Sequence, residues 1–470
     1  KNMRKFDLVV LGGGPGGYVA AIRAKQLGLN VLLLESNELG GVCLNWGCIP
    51  TKALLKVSEF KNNINKFKDF GIEVNGEISF NIKNVIQRSR NVSKQLSNGV
   101  KHLLKKNNVE VIKGFGSIYD IKEEVILNVS QDEGNNIKIG SKYLIIATGA
   151  KPRLIPGVDT TNDNIWTAKD AMVPKSIPKS ITIIGSGAIG IEFASFYNDM
   201  GSNVTVVEME NSILPNEDKE VSETAKNIFS KRGINFLNNS SLISVDTSKN
   251  NIISEVKSNN KVINIDSEKL LLAIGITGNI ENLGLEKSNI KIENGHIITD
   301  DKMRTNVKNI YAIGDVTQPP WLAHKASHEA IIASEVIAGL KNVHILDKSS
   351  IPSCTYSYPQ IASIGLNEKQ AKDNGLKIKV GTFPFLGNGK SITMGVSDGF
   401  IKTIFNDETG ELIGAHMIGS EVTELINSFS IAKQLETTEK DIINTVFAHP
   451  TLSEALHESV LAAYNRAIHF

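Results

Sequence analysis

A strand, glycine turn, helix and second strand ending in an acid occur twice in this 470-residue chain, and this repeat constrains the fold more than any other feature. The first copy runs from Leu8–Leu11 through Gly12-Gly13-Gly14-Pro15-Gly16-Gly17 and a helical stretch to Val31–Glu35. The second runs from Ile181–Ile184 through Gly185-Ser186-Gly187-Ala188-Ile189-Gly190 to Val204–Glu208. A shift of 173 residues lays Gly12, Gly14, Gly17, Gly28, Asn30, Val31 and Glu35 onto Gly185, Gly187, Gly190, Gly201, Asn203, Val204 and Glu208. A lone GxGxxG is weak evidence, but each copy here has the strand before, the helix after and an acid 18 residues past its last glycine.

That context has a physical reading. The first glycine permits a tight turn, the second lets backbone approach a pyrophosphate, and the third lets helix and strand pack closely. The helix start offers unpaired N–H groups to the anion, and the acid accepts hydrogen bonds from a ribose. Two such units predict an α/β chain with two Rossmann-like dinucleotide-binding domains. Glu208 is followed by Met209-Glu210 rather than arginine, and a carboxylate repels a 2′-phosphate, so the second site reads as one for NAD(H).

The remainder of the chain completes the layout. Strands are expected at 112–117 and 144–149, a long helix at 80–107, and a strand closing the second unit at 270–275. Ile310-Tyr311-Ala312-Ile313-Gly314-Asp315 forms a third glycine–acid element. After residue 349, strands at 362–364, 377–383, 399–405 and 412–417, then helices near 421–435 and 439–447, predict an α+β interaction domain without nucleotide motifs. The expected domains are therefore 1–150, 151–275, 276–348 and 349–470. A net charge of +1 makes no electrostatic case for nucleic acid or a membrane surface, and no apolar run reaches membrane-spanning length. Three cysteines in so long a chain argue against a secreted disulfide framework and for a reducing compartment, the cytoplasm or an organelle matrix.

Two of those cysteines lie in Cys43-Leu-Asn-Trp-Gly-Cys48-Ile-Pro-Thr-Lys52, just past the first glycine turn. A thiol pair beside a nucleotide site suggests electrons passing between a disulfide and a cofactor. Cys48 stands at an apparent helix start, where the dipole and unpaired N–H groups stabilise a thiolate. A zinc site is a poor alternative, because no further Cys or His ligands accompany the pair. Thiol–disulfide exchange needs a base, and His449-Pro-Thr-Leu-Ser-Glu454 offers a histidine with a carboxylate in reach. Glu454 also suits a helix capping box, which would employ it on backbone alone. His324 and His328 are four apart on a helix but lack a third ligand, and Cys354 reads as a buried small apolar residue.

With these residues assembled, the chain resembles the disulfide-dependent flavoprotein reductases, the class I pyridine nucleotide-disulfide oxidoreductases. The resemblance spans the whole length, through CLNWGCIPTK, ATGA at 147–150, YAIGD at 311–315, AHKA at 323–326 and HPTLSE at 449–454. It implies FAD held at Gly12, Gly14, Gly17, Glu35 and Asp315, and NAD held at Gly185, Gly187, Gly190 and Glu208. It also implies cofactor contacts at Gly116, Thr148, Gly149, Gly275, Gly314 and Ala323, with Lys52 and Glu192 meeting near the flavin ring. Cys43 and Cys48 would form the redox disulfide, with Cys48 against the flavin and Cys43 exchanging with substrate. The C-terminal domain would serve dimerisation, with His449 reaching the partner's disulfide in a homodimer. The implied reaction is NAD-linked oxidation of dihydrolipoamide on a lipoyl-carrying domain of a multienzyme complex. Glutathione reduction is the alternative, and Glu208 without following arginines speaks against it. Two departures from the family pattern stand out. Ile276-Thr277-Gly278 occupies a place where many relatives carry Arg and Pro, and Trp46 is bulkier than the usual Val.

Overall fold

The computed structural model describes residues 3–131 and 134–470. The chain gathers into two compact units. The first comprises the residues up to Ala53, Asn84–Arg153 and Gly275–Leu346; the second comprises Leu54–Lys83, Leu154–Ile274 and Asp347–Phe470.

The first unit is organised by a seven-stranded sheet. Strands Glu110–Lys113, Val31–Glu35, Arg4–Leu11 and the end of Asn136–Ile146 run parallel, with Ile310–Ala312 beside the last of them. Leu8, Val10, Leu33 and Ile145 point to one face, where Ala20, Ala21 and Ala24 of helix Pro15–Gln26 meet Ala330 and Ala333 of helix Ala323–Ile337. Val9, Leu11, Leu32 and Ile146 point to the other, onto Leu127, Leu283 and Ile297. Both faces are covered, which is why the strands read as continuous apolar runs. Each such side chain contributes roughly 1.5–3 kcal/mol on burial. The small alanines let the two helices approach until the Ser334 hydroxyl donates to Ala20 O at 3.0 Å.

The strand expected at 112–117 is two strands. Glu110–Lys113 pairs parallel with Val31–Glu35, whereas Phe115–Ile121 pairs antiparallel with Val125–Ser130. The chain bends between them at Gly114, whose N–H donates to Glu35 O. The long helix expected at 80–107 spans Ile82–Lys106.

The second unit holds three sheets. A parallel sheet orders Asn235–Leu237, Asn203–Val207, Ser180–Ile184, Lys269–Leu272 and Ile165–Trp166. An antiparallel meander covers Ser240–Asp246, Ile252–Ser258 and Lys261–Ser267. A five-stranded antiparallel sheet contains Ser353–Thr355, Gln360–Gly365, Leu412–Gly419, Phe400–Asn406 and Ile378–Pro384. Helices Val422–Gln434 and Glu454–Ala463 pack on this last sheet. The helix expected to 447 ends at Ile443, and the Thr445 hydroxyl then bonds back to Asp441 O. Among the described residues no helix is long and apolar enough to cross a membrane.

Candidate active site

The two glycine turns are built alike. Gly12 and Gly185 have φ of +98° and +102°, and a Cβ on either would lie 2.2 Å from a carbonyl oxygen of the neighbouring strand's end, Ala147 O and Ala273 O respectively. Only glycine meets both demands. Glu35 accepts from the N–H of Gly13 at 2.6 Å and of Asn37 at 2.7 Å. Glu208 repeats this, accepting from Ser186 N–H at 2.9 Å, Ser186 Oγ at 2.5 Å and Glu210 N–H at 2.9 Å. Each acid is thus fixed over its own turn. The residues fit a bound dinucleotide: a Cβ at Gly187 would meet nothing within 4 Å, which leaves the backbone open to a phosphate. Beside Glu35 opens a cavity of about 580 Å³, lined among others by Asn37, Glu38, Asn45, Arg90 and Lys113.

Cys43 lies in the short helix Gly41–Trp46 and Cys48 is the first residue of helix Cys48–Asn65. The two thiols are hydrogen-bonded to each other, and that bond, followed by burial, pushes the Cys43 thiol well above its ordinary range; Lys52 opposes the rise and Asp315 adds to it. Tyr18, on the helix after the first glycine turn, is raised by burial and by its nearness to Cys43. The turn between the cysteines is pinned from outside. The Arg90 guanidinium sits 3.9 Å over the Trp46 ring and donates to Asn45 O at 2.5 Å, while Trp46 Nε1 donates to Glu38 at 3.1 Å. Trp46 therefore braces the turn against helix Ile82–Lys106.

Asp315 sits in a buried glycine turn. Its carboxyl is pushed up to about 6 by burial, with Lys325 opposing and Glu329 adding. Lys325 and Glu329 form a buried ion pair at 2.8 Å, and Glu329 also accepts from the Gly314 N–H at 2.7 Å. Thr148 and Gly149 are tied to Asn279: Thr148 Oγ1 donates to Asn279 O at 2.8 Å, and Asn279 Nδ2 returns to Thr148 O at 2.9 Å. The Ile276–Gly278 departure forms a strand paired with Ala150–Pro152, and a Cβ at Gly278 would lie 2.6 Å from Gly295 O. Gly116 is required by packing, since a Cβ there would meet Leu11 and Leu34 side chains within 2.8 Å. Gly275, at φ +101°, leads into that pairing, and Ala323 opens helix Ala323–Ile337.

In the second unit, His449 Nδ1 bonds Glu454 Oε1 at 2.8 Å and Thr451 N–H donates to Glu454 Oε2 at 2.9 Å. The carboxylate thus serves ring and backbone together. Burial acts to raise Glu454, but the Thr451 N–H and His449 outweigh it and hold the carboxyl below its usual range. The His449 side chain is 78 % exposed. Glu192 is buried and accepts from the Tyr356 N–H at 2.9 Å. Lys52 belongs to the first unit and Glu192 to the second. Cys354 is half-buried rather than buried, and shares a hydrogen bond with Tyr356.

Residues 6–330 match the family model of the pyridine nucleotide-disulphide oxidoreductases, and residues 351–460 match the dimerisation domain of the same proteins. The chain belongs to the pyridine nucleotide-disulphide oxidoreductases. It is 49 % identical to a dihydrolipoyl dehydrogenase of Zymomonas mobilis, with 99 % of each chain covered. It is 42 % identical to one of Bacillus subtilis, also with 99 % of each covered. Among solved structures, LpdA of Mycobacterium tuberculosis shares the fold at a TM-score of 0.91 and 23 % identity, covering 97 % of this chain and 99 % of that one.

For a member of this oxidoreductase family, several features of the site escaped the sequence reading. On helix Ala323–Ile337 the eye falls on His324 and His328, which are exposed, whereas Lys325 and Glu329 one position along carry the buried pair under Asp315. Their i, i+4 spacing was a usable signal. Arg90 and Asn279 gave none, because their partners lie 45 and 131 residues away.

Proposed function

We infer that this chain oxidises protein-bound dihydrolipoamide to lipoamide while reducing NAD to NADH, using FAD. The thiol pair at the start of helix Cys48–Asn65 carries this reading, in a chain 49 % identical over its length to a dihydrolipoyl dehydrogenase. Gly12, Gly14, Gly17, Glu35, Gly116, Thr148, Gly149, Gly314, Asp315 and Ala323 hold FAD; Gly185, Gly187, Gly190, Glu208 and Gly275 hold NAD. Bound flavin supplies the two-electron relay between dithiol and nicotinamide.

The chain's own residues manage sulfur and protons. A substrate thiolate attacks Cys43 of the Cys43–Cys48 disulfide, forming a mixed disulfide and leaving the electron pair on Cys48 as thiolate. The second substrate thiol then attacks the substrate sulfur, closing the lipoyl disulfide and releasing Cys43, which takes up a proton. The upward push on the Cys43 thiol suits it to hold that proton while Cys48 carries the charge. His449, oriented by Glu454, is the base that accepts the substrate's thiol protons. Lys52 stabilises negative charge beside the flavin. The protein acts as a homodimer, with His449 serving the thiol pair of its partner, and its substrate arrives on a lipoyl-carrying domain of a cytoplasmic complex.

The test mixes flavin-loaded protein with dihydrolipoamide and either NAD or NADP and follows reduced nicotinamide by absorbance. Turnover with NAD and little with NADP is expected. No dithiol turnover from protein that still reduces an artificial dye would redirect the search to other disulfides.

A further inference from the structure

The two glycine turns match in backbone and differ in one hydroxyl. Gly13 O accepts from Gly40 N–H at 2.8 Å, and Ser186 O accepts from Leu214 N–H at 3.0 Å. Gly13 and Ser186 each donate their own N–H to the acid of their turn. Ser186 adds a side chain, whose Oγ donates to Glu208 Oε2 at 2.5 Å. The first turn has no room for such a group, since a Cβ at Gly13 would lie 2.8 Å from Leu39 Cδ2. Glu35 accordingly accepts from the backbone N–H groups of Gly13 and Asn37, whereas Glu208 accepts from those of Ser186 and Glu210 and from the hydroxyl as well. Ser186 is fully buried and Glu208 nearly so, which keeps water from competing for this bond.

We propose that Ser186 is a positioning residue for coenzyme choice: its hydroxyl locks Glu208, so that the carboxylate receives a ribose 2′-hydroxyl and cannot swing away from a 2′-phosphate. The proposal rests on the reading of the second turn as the NAD site. A glutamate side chain has rotatable bonds, and an acid free to turn aside would give a phosphate room at little cost. Here both carboxylate oxygens are held, Oε2 by Ser186 and Oε1 by the Glu210 N–H at 2.9 Å. The strand end itself is tied as well, with Glu208 N–H donating to Leu237 O and Glu208 O accepting from Ser240 N–H, each at 2.8 Å. The three donors to the carboxylate are neutral groups, so they fix it without cancelling its charge. What remains is acceptor capacity for one more donor, which a ribose hydroxyl supplies and a phosphate oxygen does not. The Ser186 hydroxyl proton is committed to Glu208, which separates its role from direct contact with the pyrophosphate.

Ser186→Ala removes the hydroxyl and keeps the Cβ; Ser186→Gly copies the first turn and serves as a second removal variant. The readout is calorimetric titration of the oxidised, flavin-loaded protein with NAD and with NADP, which reports binding apart from turnover. The ratio of the NADP to the NAD dissociation constant should fall by about tenfold in both variants, the lower end of what a hydrogen bond to a charged group contributes. In a Glu208→Ala background, where no acid remains to be held, Ser186→Ala should leave the ratio where Glu208→Ala puts it. An unchanged ratio in both Ser186 variants would overturn the proposal, and so would equal weakening of the two coenzymes, which would mark a damaged turn rather than a released acid. A shift of the same size with and without Glu208 would show that Ser186 acts by another route. A parent that binds neither coenzyme, or prefers NADP, would defeat the reading of the site together with the proposal. A parent inert toward dihydrolipoamide whose coenzyme ratio still responds to Ser186→Ala would defeat the reading of function and leave the role of Ser186 standing.

Discussion

The chemistry of the thiol pair turns on two residues five positions apart. Cys48 begins a helix, where unpaired N–H groups favour a thiolate, while Cys43 is pushed upward by its bond to Cys48 and by burial. The two cysteines should therefore behave differently when separated. In flavin-loaded protein, Cys43→Ser should retain a thiolate–flavin charge-transfer band near neutral pH, and Cys48→Ser should lose it. The opposite pattern in the absorption spectra would reverse the assignment. The sequence alone supplied this asymmetry, because a helix start is a local property that Pro50 and the following apolar spacing announce. It did not supply the brace on the turn: Trp46 was legible only as an unusual residue, and its engagement by Arg90 depends on how helix Ile82–Lys106 lies across it.

Between elements, the joint of helix Lys219–Lys231 with the C-terminal sheet holds a dense set of charges. Asp218 caps the helix by accepting Glu220 N–H, and Lys402, buried in strand Phe400–Asn406, reaches Asp218 at 3.0 Å and Glu368 at 2.9 Å. The carboxyl of neighbouring Glu217 is buried there with one oxygen lacking a hydrogen-bond partner. Burial raises it to about 7; a Ser363 bond opposes and Asp218 adds. The folded state thus binds this proton more tightly than the unfolded chain, so stability is lost as pH rises from about 4.5 through about 7. The cost of ionising it is on the order of 3 kcal/mol above that window. Glu217→Gln should raise the thermal midpoint at pH 8 and change little at pH 4.5; calorimetry at both values would show it, and equal effects at both would refute the assignment. Charge composition gives no hint of this joint, since its Asp218–Lys402 pair joins residues 184 positions apart.

For the whole molecule, the match of residues 351–460 to a dimerisation domain carries a direct expectation. Sedimentation equilibrium should return twice the 51.1 kDa chain mass, and a single-chain mass at micromolar concentration would contradict it. What the sequence determined by itself was everything set by neighbours along the chain: two glycine turns with their fixed acids, a thiol pair at a helix start, and a histidine five residues from its carboxylate. These depend on backbone conformations and spacings that a stretch of about 35 residues or fewer contains. Only the tertiary structure decided which face of helix Ala323–Ile337 supports Asp315, that Asn279 ties down Thr148, that residues 54–83 fold with the second unit, and that His469 returns to Glu458. Those outcomes follow from burial and from contacts between distant segments, and such energies exist only once the layers have packed.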